Sequence, residues 1–166
     1  MSAAKPRLRM FAGPNGSGKS TIKSVIPPNL LGVYINPDEI EEDIRRFDFL
    51  DLAAFGVYCS AEEILSFFGN SSLLSRMELI DEASALRFND NKLIFHAVEV
   101  NAYFASVAAD FLRQSLMKTM TSFTFETVMS SPDKVMLLRR AQDKGFRTYL
   151  YYVATSRPGR KGHFAK

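Results

Sequence analysis

A glycine-rich stretch near the start of the chain, GPNGSGKST, combines residue types that bind phosphate. From Gly13 to Ser20 it matches the Walker A pattern G-x-x-x-x-G-K-[ST]. Glycines let successive backbone N–H groups point towards one phosphate, the lysine adds a positive charge, and the hydroxyl reaches Mg²⁺. We therefore expect this loop to hold the phosphates of ATP or GTP.

Each residue of the loop has an expected task. Lys19 should reach the β- and γ-phosphates, and Ser20 should offer its hydroxyl to Mg²⁺. The other contacts to the nucleotide are expected from Gly13, Pro14, Asn15, Gly16, Ser17, Gly18 and Thr21. A glycine-rich loop without a ligand is the alternative, and a strand before the loop with a helix after it argues against that alternative.

The pattern of apolar residues predicts the elements that position this loop. Segments rich in aromatic and β-branched residues predict strands at 8–12, 32–36, 122–128 and 148–155. Helices are predicted over Lys19–Val25, from Asn36, over 100–117, and from Ser131 to Gly145. Strands that alternate with helices form parallel sheets. We therefore expect an α/β fold, a three-layer α/β/α P-loop NTPase sandwich with a mostly parallel sheet.

Two acidic residues are predicted to lie beside the loop. Ligands of such folds bind at the carboxyl ends of the strands, and Asp38 and Glu126 each follow or end a predicted strand. In small phosphotransferases, an acid after the second strand takes a proton from the acceptor hydroxyl, and Asp38 has that position. The alternatives are that Asp38 only begins a helix and that Glu126 is a hydrogen-bonded residue at a strand end.

Length and composition limit the organisation of the chain. The 166 residues, of which 46% are hydrophobic, suit one domain over 1–166 with a less regular insertion at about 47–99. A hairpin that turns at Asn89-Asp90-Asn91 is predicted inside this insertion. No apolar run approaches the roughly 18–20 residues that cross a bilayer, and no signal-peptide core is present. We therefore expect a cytoplasmic protein without a membrane partner.

The positive net charge does not indicate a nucleic-acid partner. The chain has a net charge of +3, and residues 157–166 contain four basic residues and no acidic one. The rest of the chain is therefore close to neutral. Such a chain lacks the extended basic surface that binds DNA or RNA.

Three stretches in order, GPNGSGKST, YINPDEI and SFTFETVMSSPDKVMLLRRAQDKGFRTYLYYVAT, together resemble the zeta toxin family of P-loop kinases. The similarity covers most of residues 7–155. It implies transfer of the γ-phosphate of ATP, with Mg²⁺, to a hydroxyl of a small molecule. The best-known members phosphorylate UDP-N-acetylglucosamine, so a UDP-amino sugar is one candidate acceptor. The LSGGQ-like signature of ABC ATPases and the NKxD motif of GTPases are missing from the sequence.

The resemblance also assigns roles to individual residues. In the family, the acid after the second strand is the catalytic base, which corresponds to Asp38. The acid that ends the strand before the next crossover helix holds the metal or the substrate, which corresponds to Glu126, with Thr127 beside it. An antitoxin protein is the partner that the resemblance implies.

The chain departs from the family after the last predicted strand. Members of the family continue with an arginine-bearing lid helix, a further strand and more helices, whereas this chain has the short basic tail SRPGRKGHFAK at 156–166. We expect the sandwich to be incomplete at its C-terminus and phosphate transfer to be slow, because such an arginine contributes about 10³–10⁵ in rate. A catalytically impaired nucleotide-binding remnant and an antitoxin-regulated interaction module stay open as alternatives to the kinase.

Overall fold

The strands of the structure, a computed structural model that describes residues 4–128 and 132–154, form two sheets. In chain order they are β1 (Arg7–Ala12), β2 (Val33–Ile35), β3 (Phe49–Asp51), β4 (Arg87–Asn89), β5 (Lys92–Ile94), β6 (Phe123–Thr127) and β7 (Arg147–Tyr152). The larger sheet has the order β2-β6-β1-β7, and every neighbouring pair in it is parallel. The smaller sheet, β3-β5-β4, is antiparallel.

Helices separate the strands of the parallel sheet. They are α1 (Lys19–Val25), α2 (Pro28–Leu31), α3 (Pro37–Phe47), α4 (Ala61–Gly69), α5 (Ser72–Arg76), α6 (Ile80–Ser84), α7 (Ala102–Lys118) and α8 (Asp133–Asp143), with a 3-10 helix at Leu52–Phe55. The chain is therefore an α/β protein, and its parallel sheet with flanking helices is compatible with three layers. None of the helices within 4–128 and 132–154 has the length and apolar character needed to cross a membrane.

The four predicted strands of the parallel sheet and the helix between 100 and 117 are confirmed. The predicted end of the first helix before Pro27-Pro28 is also confirmed, because α1 ends at Val25. Pro28 then begins α2, a helix that was not predicted. A proline can begin a helix because its fixed φ suits the first helical position. The predicted helix start at Ser131 and the basic tail at 156–166 lie outside the described residues.

The insertion between α3 and α7 contains the smaller sheet, the 3-10 helix and the helices α4, α5 and α6. The predicted hairpin is confirmed, since β4 and β5 pair antiparallel. Asp90 and Asn91 have φ values of 50° and 56° at its turn, a conformation that short polar side chains tolerate better than most. The sequence did not predict that β3 pairs with β5.

One apolar core joins the insertion to the parallel sheet. Phe104 of α7 is fully buried, and its ring lies 6.0 Å from that of Phe95 and 6.4 Å from that of Phe68 on α4. Phe123 and Phe125 of β6 belong to the same cluster. Burying a phenylalanine side chain contributes about 1.5–3 kcal/mol, so these rings are a large part of what holds the two sheets together.

The connection from α2 to β2 is held by the strands beneath it. Arg9 of β1 donates a hydrogen bond from Nη1 to the carbonyl oxygen of Leu30, and Thr124 of β6 donates one to that of Leu31 at 2.6 Å. Gly32 follows with φ 63° and ψ −145°, a region that is nearly restricted to glycine. A Cβ at Gly32 would lie 2.2 Å from the carbonyl oxygen of Ser122. The chain can therefore enter β2 only through a glycine.

We expect Gly32→Ala to lower the free energy of unfolding by about 3 kcal/mol, because backbone strain and a clash with backbone atoms add together. Gly56→Ala is the matched control, since Gly56 also has a positive φ, 66°, but a Cβ added to it would meet no atom within 4 Å. The control should cost about 1 kcal/mol. Urea denaturation of both variants measures the difference, and equal losses would contradict the role given to Gly32.

Candidate phosphate-binding site

The glycine-rich loop (13–20) joins the end of β1 to the start of α1. Its first residue, Gly13, donates a backbone hydrogen bond to the carbonyl oxygen of Thr127 at the end of β6 (3.2 Å). A Cβ at Gly13 would lie 2.5 Å from the carbonyl oxygen of Val153 and 2.8 Å from Ser17 Oγ. The loop therefore begins in a gap between two strand ends that only a glycine fits.

Lys19 lies inside the loop. Its side chain is largely buried, and its Nζ donates hydrogen bonds to the carbonyl oxygens of Gly13 (2.8 Å) and Pro14 (2.9 Å). Burying an ammonium group is costly unless it is hydrogen-bonded, and these two carbonyls offset that cost. The positive charge is thus held at the opening of the loop.

Ser17 supplies a hydroxyl to the interior of the loop. Its Oγ is buried and has no hydrogen-bond partner among the described residues. A buried polar atom without a partner costs about 1–3 kcal/mol, and a bound group with a donor or an acceptor would recover it. Together with the Gly13 gap and the Lys19 ammonium, this hydroxyl fits a loop that holds an anion.

Asp38 lies in the first turn of α3. The side chain of Asn36 caps this helix by accepting a hydrogen bond from the backbone N–H of Asp38 (3.0 Å), which confirms the predicted helix start. The Asp38 side chain is exposed and borders the cavity in front of the loop. Because the side chain of Asn36 caps the helix, the carboxylate of Asp38 is not needed as the cap.

Glu126 lies near the end of β6 and is 8% exposed. Its Oε1 accepts a hydrogen bond from the hydroxyl of Tyr34 on the neighbouring strand β2. The Tyr34 ring is also contacted by Lys23 of α1, whose Nζ lies 3.8 Å from the ring centroid. Tyr34 therefore fixes one oxygen of the Glu126 carboxylate from behind the cavity wall.

Tyr34 was not among the predicted site residues, although the sheet register explains its position. Tyr34 pairs with Thr124, and Glu126 lies two residues further along the same strand. Residues two apart on a strand point to the same face, so the phenol and the carboxylate share one side of the sheet. This relation follows only once β2 and β6 are known to be neighbours.

Seven of the predicted site residues meet at a cavity of about 370 Å³ in front of the loop. Its wall is formed by Asn15, Gly16, Gly18, Lys19, Ser20, Asn36, Asp38 and Glu126. The catalytic and metal-binding candidates Lys19, Ser20, Asp38 and Glu126 are thus brought together by the fold, whereas the substrate-binding candidate Thr127 does not line this cavity. Gly13, Pro14, Ser17 and Thr21 belong to the loop and the first turn of α1 rather than to this wall.

A second cavity, of about 1220 Å³, shares five wall residues with the first and extends towards the insertion. Thr127 borders it, as do Ser66 of α4 and Arg76 of α5. Asp110 and Arg113 of α7 line another part of its wall. The volume is larger than the roughly 300–1000 Å³ of common small-molecule pockets.

The oxygen donors in front of the loop fit Mg²⁺ bound together with phosphates. No group of three or more His, Cys, Asp or Glu side chains is gathered in a metal-binding arrangement within the described residues. Mg²⁺ commonly takes only one or two protein ligands besides waters and substrate phosphates. The hydroxyl of Ser20 and the carboxylate of Glu126 are ligands of that kind.

Comparison with known proteins finds no protein-family model, no curated protein and no solved structure that matches this chain. Membership of the zeta toxin family therefore stays a prediction. The function of the chain is accordingly inferred from the residues that the fold gathers around the loop.

The Tyr34 phenol makes stability sensitive to alkaline pH. Burial raises the pKa of Tyr34, and its hydrogen bond to Glu126 and the charge of that carboxylate raise it further. A raised folded-state pKa contributes stability that is complete below the unfolded pKa of about 10 and is lost as the pH rises above it.

We expect the free energy of unfolding of the wild type to fall more steeply above about pH 10 than that of Tyr34→Phe, which cannot ionise at this position. Denaturant titrations between neutral pH and pH 11 measure this slope. Tyr58→Phe is the control, because Tyr58 is 76% exposed, and it should follow the wild type. Parallel curves for the wild type and Tyr34→Phe would contradict the role given to the Tyr34–Glu126 bond.

Proposed function

We propose that this protein is an ATP-dependent kinase of the zeta toxin type, with a P-loop NTPase sandwich, that phosphorylates a hydroxyl of a small molecule. The observation that carries the proposal is the meeting of Lys19, Asp38 and Glu126 at one cavity in front of a glycine-rich loop. A phosphate-binding loop, a carboxylate near the transfer point and a second carboxylate for metal or acceptor are the parts that such a reaction needs.

Nucleotide binding is assigned to the glycine-rich loop. Its backbone N–H groups would surround the β-phosphate, and Lys19 would exchange its two carbonyl partners for phosphate oxygens. A phosphate oxygen carries negative charge, so its hydrogen bond to the ammonium gains a Coulomb attraction that a neutral carbonyl does not supply. Phosphate can therefore compete with the carbonyls of Gly13 and Pro14.

Asp38 is assigned as the base. Its side chain is exposed at the cavity wall, where an acceptor hydroxyl can reach a carboxylate oxygen within hydrogen-bond distance. As the hydroxyl oxygen forms its bond to the γ-phosphorus and the bond to the leaving ADP breaks, the hydroxyl proton passes to Asp38.

Glu126 is assigned to hold the metal or the acceptor, and Ser20 to hold the metal. Mg²⁺, when bound, neutralises charge on the β- and γ-phosphates. The contribution of Tyr34 is to restrict the Glu126 side chain to one orientation, which lowers the entropy lost when a ligand binds. Thr127 follows Glu126 on the wall of the larger cavity and is assigned to the acceptor side.

The proposal extends to the cellular setting that the resemblance implies. A cytoplasmic kinase of this type would act on an acceptor such as a UDP-amino sugar and would be controlled by an antitoxin protein. The competing proposal, a nucleotide-binding remnant without transferase activity, shares the loop with the kinase but not the function of Asp38. A binding experiment on Lys19 tests the loop that both proposals share, and a turnover experiment on Asp38 separates the kinase from the remnant.

We expect Lys19→Ala to weaken Mg-ATP binding by at least about tenfold, because one charged hydrogen bond is worth about 1.5–3 kcal/mol. Lys118→Ala is the control, since the Lys118 side chain is 80% exposed at the end of α7, and it should bind like the wild type. Calorimetric titration with Mg-ATP and with Mg-GTP measures both affinity and nucleotide preference. Equal affinity for the wild type and Lys19→Ala would refute the loop assignment.

We expect Asp38→Asn to lower the rate of phosphate transfer by about 10²–10⁴ while Mg-ATP affinity stays unchanged. Glu39→Gln changes the next acidic residue in the same helical turn and should leave the rate unaltered. Transfer is measured with γ-labelled ATP and a panel of hydroxyl compounds that includes UDP-N-acetylglucosamine. A folded wild type that binds ATP but phosphorylates nothing in the panel or in a small-molecule cell extract would favour the remnant.

A further inference from the structure

Arg113 is a buried arginine that the proposed transfer chemistry does not use. It belongs to α7, away from both ends of the helix, and it is 3% exposed. Its Nη2 is 3.4 Å from Asp110 Oδ1, which is long for a hydrogen bond between charged groups, and its Nε is buried without a partner among the described residues. Its guanidinium carbon lies 5.1 Å from the centroid of the Phe125 ring.

The charge of Arg113 is only partly compensated. Burial lowers the pKa of Arg113, while the charges of Asp110 and Asp133 oppose that effect. Asp110 is itself shared, because its Oδ2 accepts a hydrogen bond from Gln114 Nε2 at 2.9 Å. Buried arginines are normally paired and fully hydrogen-bonded, and replacing a buried ion pair as a whole by apolar residues often leaves a fold as stable or makes it more stable. The position of Arg113 therefore suits recognition better than folding.

Arg113 borders the same large cavity as the glycine-rich loop. Lys19 and Asp38 line the part of the wall near the loop, and Arg113 lines a part built by α7. Two further cations border the cavity, Arg76 of α5 and Lys134 of α8, and Lys134 is already paired with Asp133 at 2.6 Å. The carboxylates on the wall are Asp38, Glu63, Asp110, Glu126 and Asp133.

This mixture of charges decides what the cavity can hold. A ligand with negative charge spread over its whole length would be repelled by the carboxylates, whereas one with a single anionic group could place that group at the guanidinium. The planar fork of a guanidinium matches the oxygens of a phosphate or a carboxylate in a bidentate arrangement. The hydroxyl-bearing end of the same ligand would then extend towards Asp38.

We propose that Arg113 is a specificity-determining residue that binds an anionic group, a phosphate or a carboxylate, of the acceptor molecule. The proposal rests on the proposed kinase function for the identity of the ligand as an acceptor. The anion site itself does not depend on that function, so the two can fail separately.

The anion site is tested first with inorganic phosphate and with acetate as separate probes. Lys19→Ala removes the lysine of the loop, so that anion binding by this variant reports the remaining site. We expect Lys19→Ala to bind phosphate, acetate or both, observed by NMR or calorimetric titration. In the double variant Lys19→Ala with Arg113→Met, this affinity should fall at least about tenfold, the loss of a bidentate charged pair.

The stability of the Arg113 variants distinguishes recognition from folding. We expect Arg113→Met to have a melting temperature equal to or above that of the wild type, because an incompletely compensated buried charge is replaced by an apolar chain of similar length. The Asp110 carboxylate that loses its partner is 42% exposed and keeps its hydrogen bond from Gln114, so it is not left buried and unpaired. Arg113→Lys keeps the charge but loses the fork, and it should bind the anion more weakly than the wild-type arginine. It also serves as the probe if Arg113→Met does not fold.

Acceptor recognition is tested by kinetics. With an acceptor found in the labelled-ATP panel, Arg113→Lys should raise KM for the acceptor by about tenfold or more and leave Mg-ATP affinity unchanged. Anion binding that is unaltered by Arg113→Met and Arg113→Lys, or absent from Lys19→Ala, would overturn the anion site. A change in Mg-ATP affinity instead of acceptor KM would assign Arg113 to the nucleotide and overturn its role in acceptor specificity.

Discussion

The placement of β1 between β6 and β7 is the constraint on which the rest of the candidate site depends. In the parallel register, Ala12 at the end of β1 is level with Thr127 on one side and Tyr152 on the other. The chain leaves β1 through Gly13, whose N–H donates to the carbonyl oxygen of Thr127. Val153, the residue after β7, donates its N–H to the carbonyl oxygen of Ala12 at 2.8 Å. The loop, Glu126 and the wall of the cavity therefore lie at the same end of the sheet, where the ends of β1, β6 and β7 are aligned.

The buried charges of the site are stabilised in three different ways. Lys19 is compensated by carbonyl dipoles of its own loop, and Glu126 by a phenol from the adjacent strand. Arg113 has a shared carboxylate at the limit of hydrogen-bond distance and the face of Phe125. The first two arrangements hold a charged group in place. The third leaves Arg113 Nε without a hydrogen-bond partner among the described residues, so the guanidinium can still bind another group.

Local signals in the sequence were sufficient for the connection from β1 to α1, for the start of α3 at Asn36 and for the hairpin turn at Asp90-Asn91, because each depends on a few neighbouring residues. The pairing of Tyr34 with Glu126 required the strand order, which no local pattern contains. Arg113 lies within the apolar stripe of α7, where a long side chain could equally have reached solvent, so its burial depended on how α7 packs. The pairing of β3 with β5 was likewise a matter of tertiary contacts.

The narrow gap at Gly13 has a mechanical consequence. The space beside its Cα is occupied by the carbonyl of Val153, directly after β7, which is an edge strand within the part of the chain that the structure describes and on which Leu150 and Tyr152 are largely exposed. A protein that docked against this edge and displaced the end of β7 by even an ångström would change the room available to the first residue of the loop. Close packing transmits such displacements instead of absorbing them. The backbone position at the end of β7 therefore sets the room that the first residue of the loop has.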